Sequence, residues 1–68
     1  MQEQNEMESR LIGIEELSSY LAVPLPTLYT WTHLRKIPHV KLGRSLRFDR
    51  LEIDAWLANR RVAPIPRA

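Results

Sequence analysis

The sequence predicts a mostly α-helical domain with one small β-hairpin, in the order helix, turn, helix, hairpin, helix. Two amphipathic segments separated by "VPLP" indicate two helices joined by a short turn, because proline is excluded from helix interiors. The stretch "VKLGRSLRF" holds two short extended segments around a glycine, which is typical of a hairpin. A further apolar stripe after Asp49 predicts the last helix.

The composition limits this architecture to a single domain. The chain has 68 residues, no cysteine and a formal net charge of +2. It therefore has neither a disulfide nor a thiolate zinc site, and no stretch approaches the roughly 20 apolar residues of a membrane span. We expect residues 1–10 to be a disordered tail, residues 11–61 to form the folded domain, and residues 62–68 to be a flexible tail.

The first helix is predicted over "GIEELSSYLA", with Gly13 as its N-cap. Its apolar stripe consists of Ile14, Leu17 and Leu21. Ser18 adds a small residue that suits close approach of a second helix. Ala22 ends the helix where a left-handed residue is often needed, and alanine in that conformation costs about 1 kcal/mol relative to glycine.

The second helix is predicted from Leu25 to about Arg35, and its two faces differ. The inward face consists of Leu28, Trp31 and Thr32. The outer face and its flanks consist of Pro26, Thr27, Tyr29, Thr30, His33 and Leu34. No acidic residue occurs on this outer face, as a surface that docks on phosphates requires.

The hairpin and the last helix complete the predicted fold. The hairpin turns at Gly43, which adopts positive φ readily. Its apolar positions are Val40, Leu42, Leu46 and Phe48, and its exposed basic positions are Lys41, Arg44 and Arg47. Asp49 and Glu52 form a pair similar to a capping box at the start of the last helix. The core stripe of that helix is predicted to be Ile53, Trp56 and Leu57.

Basic charge is concentrated around the hairpin. From Arg35 to Arg50 there are six basic residues and one acidic residue, a local net charge of +5. Because charge attraction is screened beyond about 8–10 Å, this local field matters more than the total charge. It indicates a nucleic-acid partner. The alternative is a solvated basic face without a partner.

The predicted order of elements is that of a winged helix-turn-helix: a helix-turn-helix, a two-stranded wing and a C-terminal helix. In this class the second helix enters the major groove of DNA, and we expect the wing to lie along the adjacent backbone or minor groove. The predicted DNA-binding residues are Thr27, Tyr29, Thr30, His33 and Arg35 on the helix side, and Lys41, Arg44, Ser45 and Arg47 on the wing.

Several of these residues also have a purely structural interpretation. Tyr29 could pack on the flank of the core, and Arg35 could interact with the helix dipole. Lys41 and Arg47 could serve only to keep an edge strand soluble. Trp31 and Trp56 are predicted to be core residues rather than base-stacking residues, since both lie on apolar stripes; the list of candidates therefore excludes them.

Residues 11–57, "LIGIEELSSYLAVPLPTLYTWTHLRKIPHVKLGRSLRFDRLEIDAWL", resemble the excisionase-type DNA-binding domain, which is related to phage excisionases and to the DNA-binding domain of mercury-resistance-type regulators. The resemblance lies in "EELSSYLAV", "PTLYTW", "KIPHVKLGRSLRF" and "IDAWL". It implies a winged-helix fold and sequence-specific binding of double-stranded DNA. Relatives often have serine in place of Pro24, glycine in place of Ala22, and arginine where this chain has Thr30 and His33.

Three functions are compatible with these observations. The first is an accessory, directionality-setting factor that helps an integrase or recombinase excise a mobile element, with self-association on adjacent DNA sites. The second is a small transcriptional regulator of the same fold. The third is a protein-interaction adaptor that does not bind DNA.

Neither catalysis nor a metal site is expected from the sequence. His33 and His39 have the wrong spacing for a helical ligand pair and no third ligand in view. No nucleophile–base arrangement occurs. We therefore expect a protein that is not an enzyme, has no cofactor and no membrane contact, and is cytoplasmic and nucleoid-associated.

Overall fold

The computed structural model describes residues 10–62 and confirms the predicted fold class. The helices are α1 (Ile14–Leu21), α2 (Leu25–His33) and α3 (Arg50–Ala58). The strands are β1 (Leu11–Ile12), β2 (Val40–Leu42) and β3 (Ser45–Asp49). Strand β1 was not predicted. The predicted tails, residues 1–10 and 62–68, lie outside the described residues except for Arg10 and Val62. Within residues 10–62, no helix is long and apolar enough to cross a membrane.

The three strands form one antiparallel sheet with β3 in the middle, in the order β1-β3-β2. The wing is the hairpin of β2 and β3, which turns at Gly43 with a φ of 63°. Val40 pairs with Arg47 and Lys41 pairs with Leu46. On the other side of β3, Ile12 pairs with Phe48. The sheet thereby ties the wing to the residues that precede α1.

The core is small and draws on almost every element. Its buried apolar residues are Ile12, Leu17, Leu28, Ile37, Phe48 and Ile53. Trp31 and Trp56 pack against this cluster as half-buried residues, with their ring centroids 6.0 Å apart. The prediction that Leu57 belongs to the core was wrong, because its side chain is 41% exposed. A domain this small covers α3 on one side only, and Leu57 lies at the rim of the covered stripe.

The turn between α1 and α2 is closed by Ser18. The Ser18 carbonyl accepts hydrogen bonds from the backbone N–H groups of Ala22 and Val23, the latter at 3.1 Å. The Ser18 hydroxyl donates to the Val23 carbonyl at 2.6 Å. Ala22 has φ 57° and ψ 44°, which confirms the predicted left-handed end of the helix. Ser18 therefore does more than allow close approach: its hydroxyl satisfies a carbonyl that the tight turn removes from helical bonding.

Helix α2 ends two residues earlier than predicted. His33 is its last residue, and Arg35 lies beyond the end with a φ of 59°. The Lys36 N–H donates to the Trp31 carbonyl at 2.8 Å, and the Arg35 N–H donates to the Thr32 carbonyl at 3.0 Å. These two bonds define a Schellman motif, in which the left-handed position usually holds glycine. Arginine thus occupies a backbone conformation that disfavours a side chain.

Asp49 joins three elements at the end of β3. Its Oδ1 accepts a hydrogen bond from the Leu51 N–H at 3.0 Å, which confirms its role as the N-cap of α3. Its Oδ2 is bound by Arg10, from Nε at 2.9 Å and from Nη2 at 2.8 Å. The residue is only 6% exposed. Hydrogen bonds from Arg10, with a smaller contribution from the Leu51 N–H, hold the pKa of Asp49 below its usual value, although burial opposes this shift.

The lowered pKa of Asp49 predicts a pH-dependent contribution to stability. Its carboxylate is more acidic in the folded chain than in the unfolded chain, where aspartate titrates near 3.9. The stabilisation is therefore present above about pH 4 and is lost as the pH falls through the lowered folded-state pKa. Asp49→Asn keeps an N-cap acceptor but has no charge. We expect the difference in unfolding midpoint between wild type and Asp49→Asn to shrink on acidification.

Urea unfolding of both proteins between about pH 6 and pH 2 measures this difference. The remaining carboxylates titrate in both proteins, so the comparison isolates Asp49. A difference that stays constant over the whole range would show that the Arg10–Asp49 ion pair does not contribute to folding.

Candidate nucleic-acid interface

Helix α2 and the wing lie side by side and form two grooves on the surface. The first groove, of about 660 Å³, is bounded by the start of α1, by Tyr29 and by the wing residues Arg44, Ser45, Leu46 and Arg47. The second, of about 440 Å³, is bounded by the C-terminal end of α2 and by β2. Its lining residues are Tyr29, Thr32, His33, Arg35, His39, Lys41 and Leu46.

Tyr29 and Leu46 line both grooves and therefore form the ridge between them. Tyr29 is 55% exposed, so more than half of its surface is available to a partner. Leu46 is half-buried and packs against the core cluster. The ridge places the outer face of α2 and the wing on one side of the molecule, where a single rod-shaped partner can contact both.

The charges of the two grooves differ. Glu15 and Glu16 at the start of α1 border the first groove, opposite Arg44 and Arg47. No acidic residue lines the second groove. The sequence explains this difference, since no aspartate or glutamate occurs from residue 17 to residue 48. The formally charged side chains that line the second groove, Arg35 and Lys41, are therefore all cationic.

The structure brings most of the predicted DNA-binding residues to these grooves. Those at the first groove are Tyr29, Arg44, Ser45 and Arg47. Those at the second groove are Tyr29, His33, Arg35 and Lys41. Thr27 and Thr30 line neither groove. Thr27 is half-buried, whereas Thr30 is exposed on the outer face of α2 and donates its hydroxyl to the Pro26 carbonyl at 3.1 Å.

The wing departs from its predicted pattern at two positions. Arg47 was expected to be exposed, but it is half-buried and its Nη1 donates to the Leu46 carbonyl at 2.8 Å. Leu42 was expected on the apolar side, but it is 53% exposed. The alternation of apolar and basic residues does not decide which face of a short hairpin meets the core. The strand register decides it, by placing Lys41 opposite Leu46 at the ridge.

Two polar residues at the second groove, Thr32 and His39, were not among the predicted DNA-binding residues. Thr32 was assigned to the inward face, but it is half-buried and lines the groove, with its hydroxyl donated to the Leu28 carbonyl at 2.8 Å. His39 was considered only as a metal ligand, and its Nδ1 lies 2.9 Å from the Ile37 carbonyl. Thr32 could have been found from the spacing Tyr29, Thr32, His33, which places all three on one helical stripe.

The last helix, α3, contacts the loop that follows α2. The Trp56 indole Nε1 donates to the Lys36 carbonyl at 3.0 Å, just beyond the Schellman motif. Arg60 stacks on the Trp56 ring, with its guanidinium carbon 4.4 Å from the ring centroid. The Tyr20 hydroxyl donates to Asp54, which ties α1 to α3. The loop that carries Arg35 is therefore held by α3 as well as by α2. Within residues 10–62, no cluster of three or more metal-ligating side chains occurs.

Two helices joined by a tight turn, with a basic hairpin beside the second, define a helix-turn-helix protein. The chain belongs to the Helix-turn-helix domain family, which matches it over residues 11–61. Comparisons with curated proteins and with solved structures found no match. Because the helix-turn-helix is a DNA-binding element, the family assigns DNA as the partner of this domain.

Proposed function

We propose that the protein binds double-stranded DNA sequence-specifically, with α2 in the major groove and the wing on the neighbouring phosphates. The observation that carries this proposal is the shared lining of the two grooves. Tyr29 of α2 lines one groove with Arg44 and the other with Lys41. A duplex that accommodates α2 in its major groove would also meet the cations of the wing, without any rearrangement of the fold.

The two parts of the interface would have different tasks. Thr30 and His33 project from an exposed helix face and can hydrogen-bond base edges, and the threonine methyl group can contact thymine. The side chains of Arg44 and Lys41 make no hydrogen bond or ion pair with other residues among 10–62, so their charges are available to phosphates. Phosphate contacts position the protein, and base contacts select the sequence. Neither task requires a cofactor or a catalytic group.

We expect Thr30→Ala to change sequence preference without weakening binding in general. A single lost hydrogen bond of about 1 kcal/mol corresponds to roughly a fivefold loss of discrimination between the preferred site and random duplex. The measurement is selection from a randomised duplex pool, followed by titration of the selected site and of random duplex. Thr30→Ser is the matched control, since it keeps the hydroxyl and removes only the methyl group.

A Thr30→Ala protein that selects the same site with the same discrimination would remove Thr30 from the reading face. A wild-type protein that binds no duplex at low salt would favour the adaptor function instead. Low salt is the decisive condition because phosphate-based affinity falls steeply as salt increases.

Within DNA binding, the role that we propose is that of an accessory factor in recombination of a mobile element. The resemblance to excisionase-type domains supports it, and bending DNA at adjacent sites would help to assemble an integrase complex. The test is an excision assay with an integrase-type recombinase and a DNA substrate that carries its recombination sites, with and without the protein. Unchanged excision together with altered transcription from a neighbouring promoter would identify a regulator instead.

A further inference from the structure

The inference starts from the two left-handed residues that are not glycine. Ala22 has a φ of 57° and Arg35 a φ of 59°, and both are exposed. In this conformation a Cβ crowds the backbone, so glycine is the favoured residue at either position. Non-glycine residues in such a conformation are associated with functional sites. Ala22 lines neither groove, whereas Arg35 lines the second one.

The surroundings of Arg35 are unusually basic. The second groove brings together Arg35 and His33 from the end of α2, Lys41 from β2, and His39 from the loop between them. No acidic residue lines the groove. His39 is held in place by its contact with the Ile37 carbonyl, and the backbone of the loop is held by Trp56. The groove is therefore concave, with a loop backbone that is fixed by a hydrogen bond from α3.

The guanidinium of Arg35 has no internal task. Within residues 10–62 it forms no hydrogen bond and no ion pair. Two other arginines of the described chain do contact the fold: Arg10 binds Asp49, and Arg60 stacks on Trp56. Because arginine disfavours this backbone conformation and its guanidinium forms no bond within the described fold, folding alone does not explain its presence.

We propose that the groove between Arg35 and Lys41 binds a backbone phosphate of DNA, and that Arg35 keeps its strained conformation because its guanidinium contacts that phosphate. This inference rests on the proposed function and adds to it a defined site. The site lies at the C-terminal end of α2, beside the wing. One residue would thus lower the stability of the free protein and raise its affinity for DNA.

Arg35→Gly separates these two effects. Glycine removes both the strain and the charge, so we expect the melting temperature to rise by roughly 4 °C. We expect the dissociation constant for random duplex to increase about tenfold at low salt. The salt dependence of binding should weaken by about 0.9 in the log–log slope, which is the signature of one lost phosphate contact.

Two control variants accompany Arg35→Gly. Ala22→Gly relieves the same kind of strain outside the grooves, so it should raise the melting temperature and leave DNA affinity and salt slope unchanged. Arg35→Lys keeps the charge and the strain, so its slope and its melting temperature should match those of the wild type. Thermal unfolding by circular dichroism and fluorescence anisotropy with a labelled random duplex, between about 50 and 200 mM salt, provide both readouts.

An Arg35→Gly protein that binds duplex with the wild-type salt slope would overturn the phosphate site. An Arg35→Gly protein with a lower melting temperature would overturn the other half of the proposal, that Arg35 is kept at a cost to stability, because Arg35 would then stabilise the fold. These failures differ from failure of the proposed function, in which the wild type itself binds no duplex. In that case the melting temperatures would still report the strain, but the phosphate site would be refuted together with DNA binding.

Discussion

Replacing Phe48 by alanine is expected to remove a large share of the domain's free energy of unfolding at room temperature. Phe48 is 0% exposed, pairs with Ile12 across the sheet and lies among the largest fully buried side chains. Phenylalanine-to-alanine changes in cores cost about 3–5 kcal/mol. At about 0.05–0.15 kcal/mol per residue, a chain of this length has only about 3–10 kcal/mol of total stability. One side chain therefore accounts for a large share of it.

Circular dichroism and urea titration measure this effect, and Leu42→Ala is the matched control. Leu42 is also an apolar wing residue, but it is largely exposed, and we expect it to cost less than about 1 kcal/mol. A cooperative Phe48→Ala transition at the wild-type urea midpoint would contradict the core assignment. Such a result would mean that the sheet and helices do not share a single apolar cluster.

The double variant Lys41→Gln/Arg44→Gln is expected to lose about 100-fold in affinity for any duplex at low salt. Lys41 lies on β2 and Arg44 at the tip of the wing, and both are exposed. A charge-assisted contact is worth about 1.5–3 kcal/mol, which corresponds to about tenfold or more for each cation. Two lost phosphate contacts should also lower the salt slope by about 1.8. The selected sequence should not change, because phosphates carry no sequence information.

The control for this variant exchanges the two cations, Lys41→Arg/Arg44→Lys. It keeps the charge at both positions and should bind within a few-fold of the wild type. Both double variants should unfold at the wild-type temperature, since neither side chain is buried. Wild-type affinity and slope in the glutamine variant would exclude the wing from the interface and leave α2 to bind alone.

The helices and their caps could be predicted because their signals are local. The apolar period, the prolines of "VPLP" and Asp49 each act within a few residues of the structure that they determine. The left-handed Ala22 followed from the same reasoning, since a new helix begins within three residues of it. The left-handed conformation of Arg35 could not be predicted in the same way. Arginine does not signal a left-handed residue, and the helix end depends on the bond between Lys36 and Trp31.

Strand β1 and the Arg10–Asp49 ion pair could not be predicted because their partners are distant in sequence. Two residues, Leu11 and Ile12, are too few to show a strand period. Arg10 stands next to a polar, acidic segment, and nothing in that segment indicates a partner 39 positions later. In the predicted hairpin, one edge of β3 is unpaired. The residues before α1 cover that edge, and this explains both features.

The candidate site was predictable in composition but not in arrangement. The local excess of basic residues and the carboxylate-free helix face point to the side of the molecule where the two grooves lie. Which residues share a groove depends on how α2 crosses the wing, and the sequence does not determine that crossing. Thr32 and His39 were therefore missed as groove residues, whereas Thr30, which shares the exposed face of α2 with His33, lines neither groove.

The pairing of β1 with β3 also determines when the domain can form during synthesis. The first strand leaves the ribosome early, but its hydrogen-bonding partners, Phe48 and Asp49, emerge only near the end of the domain. Ile53, which closes the core, follows later still. The nascent helix-turn-helix therefore lacks part of its core until translation of the domain is almost complete. The protein should acquire its native state in one late, cooperative step rather than helix by helix.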